Sequence, residues 1–419
     1  MREQVRGVKM QTRPYEGLKV IDFCWSGVGV FMLNFLGYYG ATIVRVESST
    51  YPDPVRAVPP FAPTYSVDEK PGLERSAVFS TTHVVKEYDL TLNMKNPKAI
   101  EVFKKLVAWA DVIGEGFTTQ EMEKRGLDYE DLKKIKPDII MLRTNGYGHT
   151  GPMKNQPGFG MTIMANSGMC DLVGWPDRLP VPISSYYTDQ LSPLLGGLAL
   201  VAAIDYRRRT GKGMCIDHSQ IEAGINYLTP LVLDYEVNGR LPSKTGNRRI
   251  DAAPHGAYRC KGGGRWVAIA VYTEEEWENF CRVVRQPDWT KDPRFATLED
   301  RVRNGDELDT LLEKWTVNFT AEQVMSMMQA AGVASGVLST GKDQAEDPQL
   351  KHYDFFHEMD HPYLGKRDFY HPPPFKLSRA TAELAPPPVL GEDNEYVCTQ
   401  ILGMSDEDFV LLIQDEVFE

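Results

Sequence analysis

The 419-residue chain contains no apolar stretch approaching the roughly 20 residues of a membrane-spanning helix; its longest, Leu194 to Ile204, is about half that. The basic stretch Met1–Met10 leads into no apolar core of signal-peptide length, so the sequence reads as a cytoplasmic protein with no membrane partner. Basic residues are in deficit. Lys and Arg number 46 against 58 Asp and Glu, a formal net charge of −12, which argues against nucleic acid as a partner. An anionic small molecule is not excluded, because a few gathered cations set the local field. Cysteines Cys24, Cys170, Cys215, Cys260, Cys281 and Cys398 form no C-x-x-C and no set with histidine at metal spacing. They read as buried free thiols, and no structural metal is indicated. A dinucleotide fingerprint is also incomplete: Gly27-Val28-Gly29 is followed by Glu47 about 20 residues on, but Met32 stands where the third glycine belongs.

What is present is an ordinary globular composition, 42% hydrophobic and 25% charged. Val20–Phe23, a turn at Ser26–Gly29, an apolar Val30–Tyr39 and Ile43–Val46 read as strand, helix, strand. Pro97 opens a helix with Ile100, Phe103, Leu106 and Val107 on one face; Val112-Ile113 and Ile139–Leu142 read as further strands around a short helix at Tyr129–Ile135. The alternation predicts an α/β fold with a Rossmann-like large domain on a parallel sheet. After residue 225 come a hairpin, Ala257–Cys260 and Trp266–Val271 across Gly262–Gly264, and two capping boxes, Thr273 with Glu276 and Thr320 with Gln323. These predict a smaller α+β domain. From Val333 the chain is irregular and proline-rich, with Pro372-Pro373-Pro374 and Pro386-Pro387-Pro388, and ends in a helix from Asp406 to Asp415. The expected division is 1–225, 226–332 and 333–419.

The segment from Tyr186 to Gln220 carries the most chemistry. Asp189 precedes a Gly/Ala-rich apolar run, Leu194 to Ile204, which ends in Arg207-Arg208-Arg209-Thr210-Gly211-Lys212-Gly213. Small residues let a helix pack closely, so this reads as a buried helix with a carboxylate just before its start. Such an aspartate either caps the helix or acts as a nucleophile kept ionised by the same amides. Local pattern leaves both open.

The ordered set of motifs resembles the class III CoA-transferases, which include formyl-CoA, carnitine and benzylsuccinate enzymes. Besides the Asp189 segment, the matching blocks are Gly17–Phe23, Gly40–Glu47, Ala110–Ile113, Gly146–Pro152, Ala331-Gly332-Val333, Asp347–Leu350 and Leu390-Gly391-Glu392. The resemblance covers nearly the whole chain. It implies that the C-terminal part returns to the large domain and that two chains interlock as a dimer. It also implies that Asp189 is a nucleophile exchanging CoA between carboxylic acids through an aspartyl anhydride and an aspartyl-CoA thioester. No cofactor is held permanently; the CoA thioester is a substrate.

By the same resemblance Arg56, Lys124 and Arg125 are expected to meet CoA phosphates or adenine, and Ser26, Phe117 and Asn145 stand at other CoA-contact positions. The chain departs from the family here. Glu115-Gly116-Phe117 lacks the usual asparagine, Thr118-Thr119-Gln120 replaces Arg-Pro-Gly, and Asn145 replaces a lysine of one branch. These gaps admit a partner-dependent or non-catalytic subunit of a heteromeric transferase beside the homodimer. Acyl-CoA racemases share the resemblance, but Phe159 occupies their histidine position and carries no proton. His149 reads as structural. Phe159, Met161, Met164, Trp175, Tyr186 and Tyr187 flank the motif blocks and suggest an apolar or aromatic acceptor acid such as benzylsuccinate, with a donor such as succinyl-CoA.

Overall fold

A computed structural model describes residues 13–62, 72–182, 186–369 and 373–418. The basic Met1–Met10 stretch and Pro372 lie outside the described residues. Six strands run parallel in one sheet: β1 (Lys19–Phe23), β2 (Thr42–Glu47), β3 (Glu87–Thr91), β4 (Val112–Glu115), β5 (Ile140–Asn145) and β6 (Met214–Ser219), in the order β3-β2-β1-β4-β5-β6. β1 is buried along Val20–Phe23 on both faces, which is why its apolar run does not alternate. Val20, Ile43, Val112, Ile140 and Leu142 pack toward helix Val28–Gly37 and helix Tyr187–Thr210; Ile21, Val44, Ile113 and Met141 pack toward helix Pro97–Trp109 on the other face. That last helix starts where chemistry places it, with Asn96 accepting from Lys98 N and proline at the first position.

The order reverses between β1 and β4, and in an open parallel sheet the crevice at the carboxyl ends beside such a reversal is where ligands settle. The loop after β1 carries Cys24–Gly27 and that after β4 carries Gly116-Phe117, and the two meet there. A Cβ on Gly116 would stand 3.1 Å from Trp25 N.

Among the described residues, those within 1–169, 182–232 and 352–419 group in one compact unit, and those within 170–181 and 233–351 form a second. In the second unit β7 (His255–Arg259), β8 (Trp266–Ala270) and β9 (Ala334–Val337) make an antiparallel sheet. Its core gathers Tyr258, Val267, Ile269, Trp277, Phe280 and Trp315. Both capping boxes are formed. β9 pairs with β8, so the unit extends past residue 332, to Lys351.

In the first unit the C-terminal segment closes the open edge of β3. Asp393 and Asn394 accept from Asp89 N and Thr91 N, and Gly391 N donates to Asp89 Oδ1. Val397, Cys398 and Val417 continue into the sheet core. Cys24, Cys260 and Cys398 are buried thiols, but Cys215 is exposed, because its position on edge strand β6 faces out. Among the described residues no helix is long and apolar enough to cross a membrane.

Candidate active site

Helix Tyr187–Thr210 runs antiparallel to β6, so its N-terminus stands at the carboxyl ends of the strands. It stops at Gly211, whose φ of 70° suits glycine, after three arginines that complement the helix dipole. Asp189 lies inside the first turn, three residues past the expected position before the helix; Tyr186 holds that N-cap place, with no side-chain cap hydrogen bond. Tyr186 adopts φ 49°, ψ 64°, a left-handed conformation that costs a residue with a Cβ.

The first residue of helix Gly160–Asn166 meets this turn. A Cβ on Gly160 would stand 2.6 Å from Tyr186 Cβ and 2.7 Å from Asp189 Oδ2, so glycine permits the approach. Burial pushes the Asp189 carboxyl up to about 6, against a smaller downward pull from Thr188. Asp189 Oδ1, Thr188 Oγ1 and Ser192 Oγ on this helix, and His218 Nε2 and Gln220 Oε1 across from it, are buried without a hydrogen-bond partner. His218 Nδ1 lies 3.0 Å from Thr144 Oγ1. Phe159, Met161, Tyr186 and Tyr187, close in sequence to this meeting point, are exposed. Sequence reasoning missed Gly160; a bare glycine after Phe159 is the signal that was there to find.

Of the expected CoA contacts, Ser26 and Phe117 come together at the strand-order reversal. Phe117 packs on Phe23 at 4.6 Å and beside Trp25 at 6.2 Å between ring centres. Asn145 ends β5, but its Oδ1 accepts from Tyr147 N and Gly148 N, holding the turn that contains His149. Lys124 and Arg125 follow β4 in one short turn, both paired to Glu121, and the Lys124 side chain is 62% exposed. Phe117 packs with the face of the sheet opposite to the one that carries the Asp189 helix.

Arg56, an expected CoA contact, is engaged inside the fold. It is fully buried, bonded to Glu47 Oε2 at 2.9 Å, Glu74 Oε2 at 2.7 Å and Asp89 Oδ2 at 3.4 Å, and lies 3.7 Å over the Phe79 ring. Its guanidinium charge is already neutralised inside the fold and presents no open face to a phosphate. Glu47, which falls at the ribose position of a dinucleotide site, bridges Arg56 and the buried Arg45 instead.

Sequence reasoning also passed over Glu115. Fully buried at the end of β4, it accepts from Phe117 N at 2.8 Å and Arg143 Nε at 2.7 Å and faces His149 Nε2 at 3.4 Å. Asp217 holds the other side of His149 at 3.0 Å; burial, the largest single effect, lowers the imidazole, and the two carboxylates together outweigh it and raise it above its usual range. His149 thus ties the ends of β4, β5 and β6. Among the described residues the ligand-type atoms of Asp22, His83 and Glu87 lie within 4.8 Å of one another. Both Asp22 oxygens are committed, to Cys24 N and Arg45, and His83 Nδ1 to Glu87, while His83 Nε2 and Glu87 Oε2 are buried without a partner; the group adjoins the buried ion network of Arg45.

Trp175 belongs to the second unit, where it lines a cavity of about 140 Å³ with Asn247, Arg248, Tyr258 and Asp309.

The profile of CoA-transferase family III matches residues 15–394. The chain is 28% identical over 401 residues to the succinyl-CoA–D-citramalate CoA-transferase of Chloroflexus aurantiacus, covering 96% of this chain and 97% of that one. It is 29% identical over 399 residues to the succinyl-CoA–L-malate CoA-transferase beta subunit of the same organism, covering 94% and 96%. A crystal structure of a CaiB/BaiF family protein from Brucella suis superposes with a TM-score of 0.84 at 28% identity, covering 93% of this chain and all of that one.

Proposed function

The chain belongs to CoA-transferase family III and is a transferase, and on that premise we propose that Asp189 carries CoA from an acyl-CoA donor, succinyl-CoA, to a carboxylic acid. The observation that supports this reading is a largely desolvated carboxylate with one unpaired oxygen in the first turn of a helix at the carboxyl ends of the sheet. No proton has to be removed to make it a nucleophile. An Asp189 oxygen attacks the donor's thioester carbonyl; the C–S bond breaks, leaving a mixed anhydride and CoA thiolate. The thiolate attacks the aspartyl carbonyl, the C–O bond breaks, and the donor acid departs as carboxylate, leaving an aspartyl-CoA thioester. The acceptor carboxylate then displaces the thiolate, and the thiolate returns to the acceptor's carbonyl, releasing acceptor-CoA and the original carboxylate.

Lys124 and Arg125 are the proposed phosphate contacts, with Ser26, Phe117 and Asn145 along the carboxyl edge; Arg56 leaves the set. A ligand touching both Phe117 and Asp189 straddles the sheet edge, a span that suits an extended CoA arm. The exposed Phe159, Met161, Tyr186 and Tyr187 favour an acceptor with an apolar or aromatic body, benzylsuccinate being one such acid. The citramalate and malate of the relatives' names are the small polar acids to compare with it.

The exposed Leu198 and Val201 on the Asp189 helix support burial against a second copy in an interlocked homodimer. The match to a beta subunit supports a second reading, a partner-dependent member of a heteromeric transferase. We place the enzyme in the cytoplasm. The test is intact mass after incubation with succinyl-CoA, wild type beside Asp189→Asn. A CoA adduct on the wild type alone, lost on adding hydroxylamine, supports the mechanism; no adduct on either defeats it for the isolated chain, and adduct on adding a related chain selects the heteromer.

A further inference from the structure

The helix that presents Asp189 contains a proline, Pro193, four residues after it. In an α-helix the N–H of residue i+4 bonds the carbonyl of residue i, so Pro193 leaves the Asp189 carbonyl without its helical donor and its ring crowds the preceding turn. At the other end the same turn is entered through the left-handed Tyr186. Three side chains within it, Thr188, Asp189 and Ser192, carry a buried oxygen with no hydrogen-bond partner. The hydrogen-bond ladder is therefore interrupted at the Asp189 carbonyl, and packing bears on the placement of this turn. Pro193 is buried and lines, with Phe31, Asn34 and Phe35 of helix Val28–Gly37 and its C-cap Tyr38, a cavity of about 50 Å³ that Gln190 and Leu194 also border. Opposite, the Asp189 carboxylate already fills the space that a Cβ on Gly160 would need.

We propose that Pro193 is a positioning residue for Asp189: by breaking the ladder at the Asp189 carbonyl and wedging against helix Val28–Gly37, it sets where the carboxylate stands relative to Gly160. The proposal rests on the reading of Asp189 as nucleophile. Restoring the N–H straightens the turn and moves the carboxylate, and a displacement of about 1 Å at a reacting atom is worth on the order of 100-fold in rate. Binding of the CoA moiety, which uses other elements, is untouched.

The experiment compares wild type, Pro193→Ala and the cavity-lining control Leu194→Ala for thermal midpoint, donor KM, kcat and the rate of CoA-adduct formation by intact mass with succinyl-CoA. Pro193→Ala is expected to hold or raise the midpoint, keep donor KM within about twofold and lower kcat and adduct rate by at least about tenfold, with Leu194→Ala within about twofold of wild type in adduct rate. A wild-type adduct rate in Pro193→Ala overturns the proposal, as does an equal loss in Leu194→Ala, which assigns the effect to packing. Should the alanine variant not fold, Pro193→Gly restores the same N–H and carries the same expectation and the same overturning result. Absence of an adduct on the wild type both alone and with a related chain added, or an equal adduct on Asp189→Asn, sinks the nucleophile reading itself and is thus distinguishable from failure of Pro193 alone.

Discussion

Gly160 and Asp189 are in contact across the N-termini of two helices: a Cβ on residue 160 would stand 2.7 Å from Asp189 Oδ2. Gly160→Ala is therefore predicted to displace the carboxylate or Tyr186 and to lower kcat by roughly 10- to 100-fold. Circular dichroism and donor KM should stay near wild type. Full activity in Gly160→Ala would show that the contact relaxes at no cost to catalysis.

Burial raises the Asp189 carboxyl from 3.8 to about 6. The carboxylate is the reacting form, so adduct formation should fall tenfold per pH unit below about pH 6. Stability moves in the opposite sense. The folded state holds this proton more tightly than the unfolded chain, so a stabilising contribution present below pH 3.8 is lost as pH rises through about 6. Asp189→Asn should thus be more stable than wild type at pH 7, by up to about 3 kcal/mol, with the gap closing below pH 4. Denaturant titrations at both pH values measure it; an equal gap at pH 4 and 7 refutes the assignment.

Arg56→Ala removes the guanidinium shared by three carboxylates, Glu47, Glu74 and Asp89, in the interior and should cost about 3–5 kcal/mol. Because Glu74 and Asp89 also hold Leu390 N and Gly391 N, the C-terminal segment should become sensitive to limited proteolysis. Unchanged stability with a raised donor KM would return Arg56 to the CoA site.

Lys124→Ala should behave in reverse. Its pairing with Glu121 is exposed, so the stability change stays within about 0.5 kcal/mol. Donor KM should rise several-fold with succinyl-CoA and not with an acyl-pantetheine lacking the nucleotide phosphates, and the rise should shrink at high salt. Equal KM changes with both donors would remove Lys124 from phosphate binding.

Strands β1, β2, β4 and β5 were legible because they are apolar on both faces and bounded by turn residues. β3 was not: Glu87-Tyr88-Asp89-Leu90-Thr91 reads as polar, and its charges are tolerable only because Arg45 and Arg56 meet them inside the fold. β6, Met214–Ser219, hides for the same reason, with Asp217 and His218 serving the strand ends. Asp189 was found by motif order, and its environment was not, since Gly160 lies about 30 residues away and only the fold brings it near. The burial of Arg56 was not legible because sequence gives a charge no burial. The partners that take up its charge, Glu47, Glu74 and Asp89, are spread over about 40 residues.

The clasp of residues 391–394 on β3 joins positions 302 to 304 residues apart. Until that segment has been made, the edge of the sheet presents unpaired amides and carbonyls, with Asp89 and Glu74 lacking part of their shell. A nascent chain in this state is open to edge-to-edge association, and contacts of such sequence separation form slowly. Folding yield, more than folded stability, is where substitutions at Gly391, Asp393 and Asn394 should be felt.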